Sequence, residues 1–397
     1  MAFLNIKNRF MNLNNGGKLM DKIKIITIFG TRPEAIKMAP LVKELQKREN
    51  IQVKVCVTAQ HREMLDQVLE LFKIVPEFDL DIMKRKQSLT GITTRILKGL
   101  DEIFQVENPD LILVHGDTTT TFAGALAAFY KQIKVGHVEA GLRTFDKYFP
   151  FPEEMNRKLT GAIADLHFAP TISSKNNLLR EGVSEKDIYL TGNTVIDAMK
   201  YTVEKDYEFE NNVLKKIDFI NEKVIMVTAH RRENWGEGIL NICKALKRIV
   251  LENKTVEIVY LVHLNPVVKD MVHKELGGLD RIHLLPPLDT KETHNLMNRS
   301  YLVMTDSGGL QEEAPHLGKP VLVLRDSTER PEAVEAGTVK LVGTDIETIV
   351  KNANILIEDN EEYIKMSKAI NPYGNGNASG KIADAIQGYF EKISNSN

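Results

Sequence analysis

KIITIFGTRPE (Lys24 to Glu34) and KVIMVTAHRRE (Lys223 to Glu233) align without a gap, sharing a lysine, an isoleucine, an arginine and a glutamate. Each is a short apolar run ending in a turn that carries arginine, the pattern of a buried strand delivering its turn to one edge of a sheet. After the first stretch, further strand-like runs occur at Val53–Thr58, Leu111–His115, Ile133–Val138 and Leu166–Ala169. Helical patterns separate them at Pro33–Arg48, Glu63–Phe72, Ile92–Val106, Thr118–Tyr130 and Pro152–Ala164. After the second stretch the runs are Val256–His263, Ile282–Leu285, Leu302–Thr305, Val321–Leu324 and Val339–Val342. Continuous apolar runs alternating with helices predict parallel sheets covered on both faces. The alternation breaks over the polar stretch Thr202–Glu222.

The expected class is therefore α/β, with two doubly wound parallel-sheet domains and a boundary near Thr191–Asn221. The layout reads as a flexible tail over 1–20, a first domain over 21–200, a linker region over 201–222 and a second domain over 223–370. A C-terminal helix over 371–397 is expected to pack back on the first domain. Open parallel sheets bind ligands beyond the carboxyl ends of their strands, so two such domains facing each other would enclose a central cleft.

Among the 397 residues, 52 Lys+Arg stand against 54 Asp+Glu, a net charge of −2 that argues against a nucleic-acid partner held by phosphate neutralisation. Cys56 and Cys243 are too few for a disulfide framework, and neither has Cys/His neighbours at zinc spacing. A reducing, cytoplasmic location without a bound metal is expected. No run approaches the ~20 apolar residues of a membrane span. The first twenty residues lack the apolar segment of a secretory signal.

The turn Gly30-Thr31-Arg32-Pro33-Glu34, with Lys37 one turn into the next helix, has the glycine and cations that suit a phosphate. The bland alternative is a solvated turn with proline opening a helix. It is not a dinucleotide site, because no G-x-G-x-x-G or Walker-type loop follows any strand. Asp306-Ser307-Gly308-Gly309 follows another strand, with Ser307 as helix cap; it suits an anion, with a carboxylate one turn further able to accept from ribose hydroxyls, or is an ordinary cap whose acidic residues suit the helix dipole. Asp117 and Glu139 end neighbouring strands; Asp117 also reads as a helix cap, whereas Glu139 precedes Ala-Gly and has no such explanation. Glu153 and Glu154 open a helix, where acidic residues suit the dipole. His230 stands beside Arg231 and Arg232, which disfavour imidazolium, and His263 ends the neighbouring strand.

FGTRPEAIKMAP, VTAQHREML, VHGDTTTT, HVEAGLRT, FPEEMNRKLTG, TGNTVID, VTAHRREN, VHLNP, TDSGGLQEEAPHLGKPVLVLRD and TERPEA stand in an order that resembles the non-hydrolysing UDP-N-acetylglucosamine 2-epimerases, over roughly Lys22 to Phe390. The resemblance implies a GT-B architecture of two Rossmann-like domains, a homodimer, and interconversion of UDP-GlcNAc and UDP-ManNAc without a cofactor. Carried over by position, it implies catalytic roles for Asp117, Glu139, Glu153 and His230. It implies UDP-binding roles for Arg32, Lys37, His263, Ser307, Gly308 and Glu313. The resemblance also implies a site for a second, activating UDP-GlcNAc near Gln60-His61-Arg62.

The residue types fit that chemistry. The proton at carbon 2 is not next to a carbonyl, so direct deprotonation is too costly. Elimination of UDP across carbons 1 and 2, giving 2-acetamidoglucal, followed by re-addition needs a base, an acid and cations for the departing diphosphate. The rival readings are a hydrolysing epimerase, a GT-B glycosyltransferase and a non-catalytic nucleotide-sugar sensor. The sensor needs no carboxylates and the transferase needs an acceptor.

Overall fold

The computed structural model describes residues 22–59, 62–83 and 87–395. The expected 1–20 tail lies outside them. The chain divides into two compact units, one running to Ala198 and resuming at Gly374, the other Met199–Tyr373.

The first unit holds a parallel sheet of β1 (Ile23–Phe29), β2 (Ile51–Val57), β3 (Phe78–Asp79), β4 (Leu111–His115), β5 (Lys134–Val138), β6 (Leu166–Ala169) and β7 (Ile188–Leu190). The strand order is β3-β2-β1-β4-β5-β6-β7. Alternate residues along a strand enter opposite cores, which is why these runs are apolar throughout. Ile25, Phe29, Leu111 and Leu113 pack on one face. Ile26, Ile28, Ile112 and Val114 pack on the other. The first face is covered by helix Arg32–Gln46, which presents Met38, Leu41, Val42 and Leu45. The last helix, Ala378–Asn395, joins it there with Ile382, Ala383, Ile386 and Phe390. Each large apolar side chain so buried stabilises the unit by roughly 1.5–3 kcal/mol. Helix Leu89–Glu107 covers the second face with Ile92, Ile96, Leu100 and Phe104, one per turn.

The second unit repeats the plan with β8 (Lys223–Thr228), β9 (Val256–Leu261), β10 (Ile282–Leu285), β11 (Leu302–Thr305), β12 (Val321–Val323) and β13 (Val339–Leu341). Its order is β10-β9-β8-β11-β12-β13, all parallel. The 201–222 stretch packs within this unit. Tyr207 meets Phe209 edge-on at 5.4 Å, and Glu292 Oε1 accepts from the amides of Glu210 and Asn211 at 2.7 and 2.9 Å.

Both sheets are therefore doubly wound α/β, as expected, with strand order reversing between β1 and β4 and between β8 and β11. Those two switch points are where such sheets receive ligands. Two edge strands, β3 and β7, were not among the expected runs; they are two and three residues long, too short for a periodic pattern. Among the described residues, no helix is long and apolar enough to cross a membrane.

Candidate active site

In the first unit the turn after β1 is held by Glu34. This buried carboxylate accepts from the amides of Gly30 and Thr31 at 3.1 and 2.9 Å and from the Thr31 hydroxyl at 2.8 Å. Its other oxygen accepts from Thr118 at 2.8 Å, so one carboxylate ties the turn after β1 to the turn after β4. Burial raises the Glu34 carboxyl above its ordinary range, and the hydrogen bonds from Thr118, Thr31 and Gly30 oppose that shift. Gly30 is required by space: a β-carbon there would lie 1.9 Å from the Thr58 hydroxyl.

Glu139 follows β5 in the left-handed region, φ +63°, uncommon for a residue with a side chain. Its Oε2 accepts from Lys37 and, at 2.8 Å, from Asn193 Nδ2. His115 Nε2 lies 3.8 Å from the same oxygen. The His115 ring is buried, and neither nitrogen has a hydrogen-bond partner among the described residues. Burial, helped by Lys37 and opposed by Glu139, pushes its pKa down to about 4. A neutral imidazole therefore backs the carboxylate. His137, one strand over, is also buried, bonds the Gly116 carbonyl at 2.7 Å and is pushed down to about 3 by burial.

Asp117 is not the helix cap that its position suggests. Thr118 takes that role, accepting from Thr121 N, which leaves Asp117 paired with Arg157 at 2.6 Å. Arg157 also reaches Glu154 at 3.1 Å. Glu154 is fully buried and accepts from the amides of Thr144 and Phe145 at 3.1 and 3.0 Å, which makes it structural. Glu153 begins the same helix, Glu153–Ile163, and is half-buried.

In the second unit the clamp is Asp306, at the end of β11. Its Oδ2 accepts from the amides of His230 and Arg231, both at 2.8 Å, and from Asn234 Nδ2 at 3.0 Å. His230 stacks on His263 with ring centroids 5.2 Å apart. Burial lowers the His230 pKa; Asp306 opposes that, and His263 and Arg231 reinforce it. The expected neutral imidazole thus owes more to burial than to its two arginines; Arg232 sits instead over Trp235. Ser307 occupies the cap position but makes no side-chain capping bond. A β-carbon on Gly308 would lie 3.7 Å from the Arg330 guanidinium and 3.9 Å from that of Arg231. A bare backbone turn flanked by two guanidiniums is chemistry for a phosphate. Glu313 Oε2 lies 3.6 Å from His294 Nε2, and a β-carbon on Gly309 would meet Glu313 Oε1 at 3.6 Å.

Residues 43–387 match the family model described as UDP-N-acetylglucosamine 2-epimerase. The chain belongs to that family. A Clostridium acetobutylicum relative is 74% identical over 371 residues, 94% of this chain and 96% of its own. The UDP-N-acetylglucosamine 2-epimerase of Bacillus subtilis is 59% identical over 367 residues, 92% and 96% of the two chains. The crystal structure of the Neisseria meningitidis UDP-GlcNAc 2-epimerase bound to UDP-GlcNAc superimposes with a TM-score of 0.82 at 52% identity, covering 92% of this chain and 100% of that one.

The residues expected from the epimerase motifs fall into two groups. Arg32, Lys37, Asp117, Glu139 and Glu153 lie in the first unit; His230, His263, Ser307, Gly308 and Glu313 lie in the second. Gln60 and His61 lie outside the described residues. Arg62 is surrounded by carboxylates, with Asp66 at 3.3 Å, Asp81 at 3.7 Å and a hydrogen bond to Asp79. Glu34, Arg157, Asn193 and Arg330 lie inside the motifs FGTRPEAIKMAP, FPEEMNRKLTG, TGNTVID and TERPEA, but no role was expected of them. Glu34 also carries the T-x-x-E spacing of a capping box. Among the described residues, no group of three or more His, Cys, Asp or Glu is placed to hold a metal ion.

Proposed function

We propose that this epimerase interconverts UDP-GlcNAc and UDP-ManNAc by elimination and re-addition. A first-unit carboxylate takes the proton from carbon 2 while the bond from carbon 1 to the diphosphate oxygen breaks. UDP leaves with that electron pair, and 2-acetamidoglucal remains. Re-addition returns the diphosphate oxygen to carbon 1 and delivers a proton to the other face of carbon 2. Asp117, Glu139 and Glu153 are the proton carriers in this reading, with His230 as a further acid or base. Arg32, Lys37, Arg231 and Arg330 balance the diphosphate charge, Ser307 and Gly308 hold phosphate, and Glu313 takes ribose.

The observation that carries the reading is Glu139, a carboxylate in a left-handed backbone at a strand end, contacted by Lys37 and Asn193 and backed by His115. No cap or dipole accounts for it. The binding of UDP-GlcNAc by the Neisseria relative supports the substrate assignment. Operation in the cytoplasm as a homodimer, without added cofactor, and supply of ManNAc-type sugars for cell-surface polysaccharide belong to the same proposal.

Incubation with UDP-GlcNAc alone in deuterated water tests it. The UDP-ManNAc formed should carry deuterium at carbon 2, and long incubations should leak UDP and 2-acetamidoglucal. Product without solvent deuterium would remove the elimination mechanism. Release of free ManNAc with UDP would assign the hydrolysing reaction instead.

A further inference from the structure

The motif Thr191-Gly192-Asn193-Thr194-Val195-Ile196-Asp197 has no part in the mechanism so far. It follows β7 and opens helix Thr194–Thr202. Asn193 is 3% exposed, and its side chain faces two ways. Its Oδ1 accepts from Val195 N at 3.1 Å, fixing the start of the helix. With the oxygen so used, the amide nitrogen is the end turned to Glu139 Oε2, 2.8 Å away. One turn on, Asp197 accepts from the amides of Ala378 and Ser379 at 3.0 and 2.9 Å, the first residues of the last helix. The amide that meets Glu139 is thus anchored within a frame that the last helix completes.

We propose that Asn193 is a positioning residue for the epimerisation, holding the Glu139 carboxylate in the one orientation that meets carbon 2. The inference rests on Glu139 acting as proposed above. Lys37 from helix Arg32–Gln46 and Asn193 reach the carboxylate by hydrogen bonds, and His115 from β4 stands 3.8 Å from it. A displacement of ~1 Å at a reacting group costs roughly 10²-fold in rate.

Asn193→Asp and Asn193→Ser separate positioning from capping. Both keep an oxygen for Val195 N, and aspartate caps a helix as well as asparagine does. Asn193→Asp also sets a second carboxylate against Glu139, beside Lys37 and His115. Two carboxylates sharing a site raise the apparent pKa of the pair. A base must be ionised to act, so the acid limb of the kcat profile should move to higher pH.

The expected result is a kcat lowered ~10–10²-fold in both variants, with KM for UDP-GlcNAc within about threefold and Tm retained. In Asn193→Asp alone, the acid limb should move up by about one pH unit. Wild-type kcat and pH profile in Asn193→Asp would overturn the inference, because a capping role is all that substitution preserves. Should Asn193→Asp not fold, Asn193→Ser decides by the split between kcat and KM, an equal loss in binding alone counting against positioning. Solvent deuterium at carbon 2 in the wild-type product keeps the two questions apart. Deuterium present with a silent Asn193→Asp removes only the positioning role; deuterium absent removes the mechanism beneath it.

Discussion

The two units solve one architectural problem in opposite directions. In each, a buried carboxylate crosses the switch point of the sheet and ties two strand-end turns together. In the first, Glu34 reaches from the helix after β1 to Thr118 after β4. In the second, Asp306 reaches from the end of β11 back to His230 and Arg231 after β8. The gapless match of Lys24–Glu34 with Lys223–Glu233 hides this, because Glu233, which aligns with Glu34, bonds Arg325 instead. Shared topology decides where the turns stand; the residues at the strand ends decide their chemistry. The first unit presents Asp117 and Glu139 with cationic partners, the second His230 and two guanidiniums around a bare Ser-Gly-Gly turn. One set suits moving protons, the other holding an anion.

Four measurements would break or sharpen this division of labour. The largest effect belongs to Glu139→Gln, which keeps size and removes the base: turnover should fall ~10²–10⁴-fold. UDP affinity by calorimetry should change little, and a large loss of UDP binding would blur the division. Next, Asp306→Ala leaves three buried or part-buried donors without their acceptor and should cost the second unit about 3 kcal/mol. Glu233→Ala should cost ~1 kcal/mol or less. Denaturant unfolding resolved by hydrogen exchange along β8 would show whether the clamp or the aligned glutamate matters.

Glu313→Ala should weaken UDP binding by ~1.5–3 kcal/mol, one to two decades, if it meets ribose. It should leave the stability of the first unit alone. The smallest effect is in acid sensitivity. His115, at about 4, His137, at about 3, and His167 are all lowered in the first unit, chiefly by burial. In the second unit the same holds for His230. A histidine whose folded pKa lies below its unfolded value leaves the unfolded state binding more protons, so stability falls as pH drops from about 6.5 toward 4. Glu34, raised, acts in the opposite sense, its contribution present at low pH and lost as pH rises. Between pH 6.5 and 5.5 the first unit should therefore lose more stability than the second. Exchange protection corrected for intrinsic rates would measure it, and equal loss in both units would reject the assignment.

The central strands were legible because burial on both faces writes itself as unbroken apolar runs. The edges were not: Phe78–Asp79 and Ile188–Leu190 pair on one side, so few residues need be apolar. At the site, Glu139 after β5 announces its chemistry most plainly, since a carboxylate before Ala-Gly has little structural use. The partners of the site carboxylates carry no such mark. Arg157 meets Asp117 across 40 positions and Asn193 meets Glu139 across 54, and only the folded sheet brings them together. Asp117 misled as a cap because Thr118, one residue on, caps equally well.

The last helix also sets an order of events during synthesis. The first unit needs Ile382, Ala383, Ile386 and Phe390 to close the core beneath β1, and Asp197 waits for the amides of Ala378 and Ser379. All of Met199–Tyr373 is made before those residues emerge. Domains usually mature from the N-terminus as the ribosome proceeds. Here the later unit can finish first, while the earlier one stands with an open apolar face until the final helix arrives. The open face of the first unit is therefore exposed to aggregation or chaperone capture for as long as Met199–Tyr373 is being made.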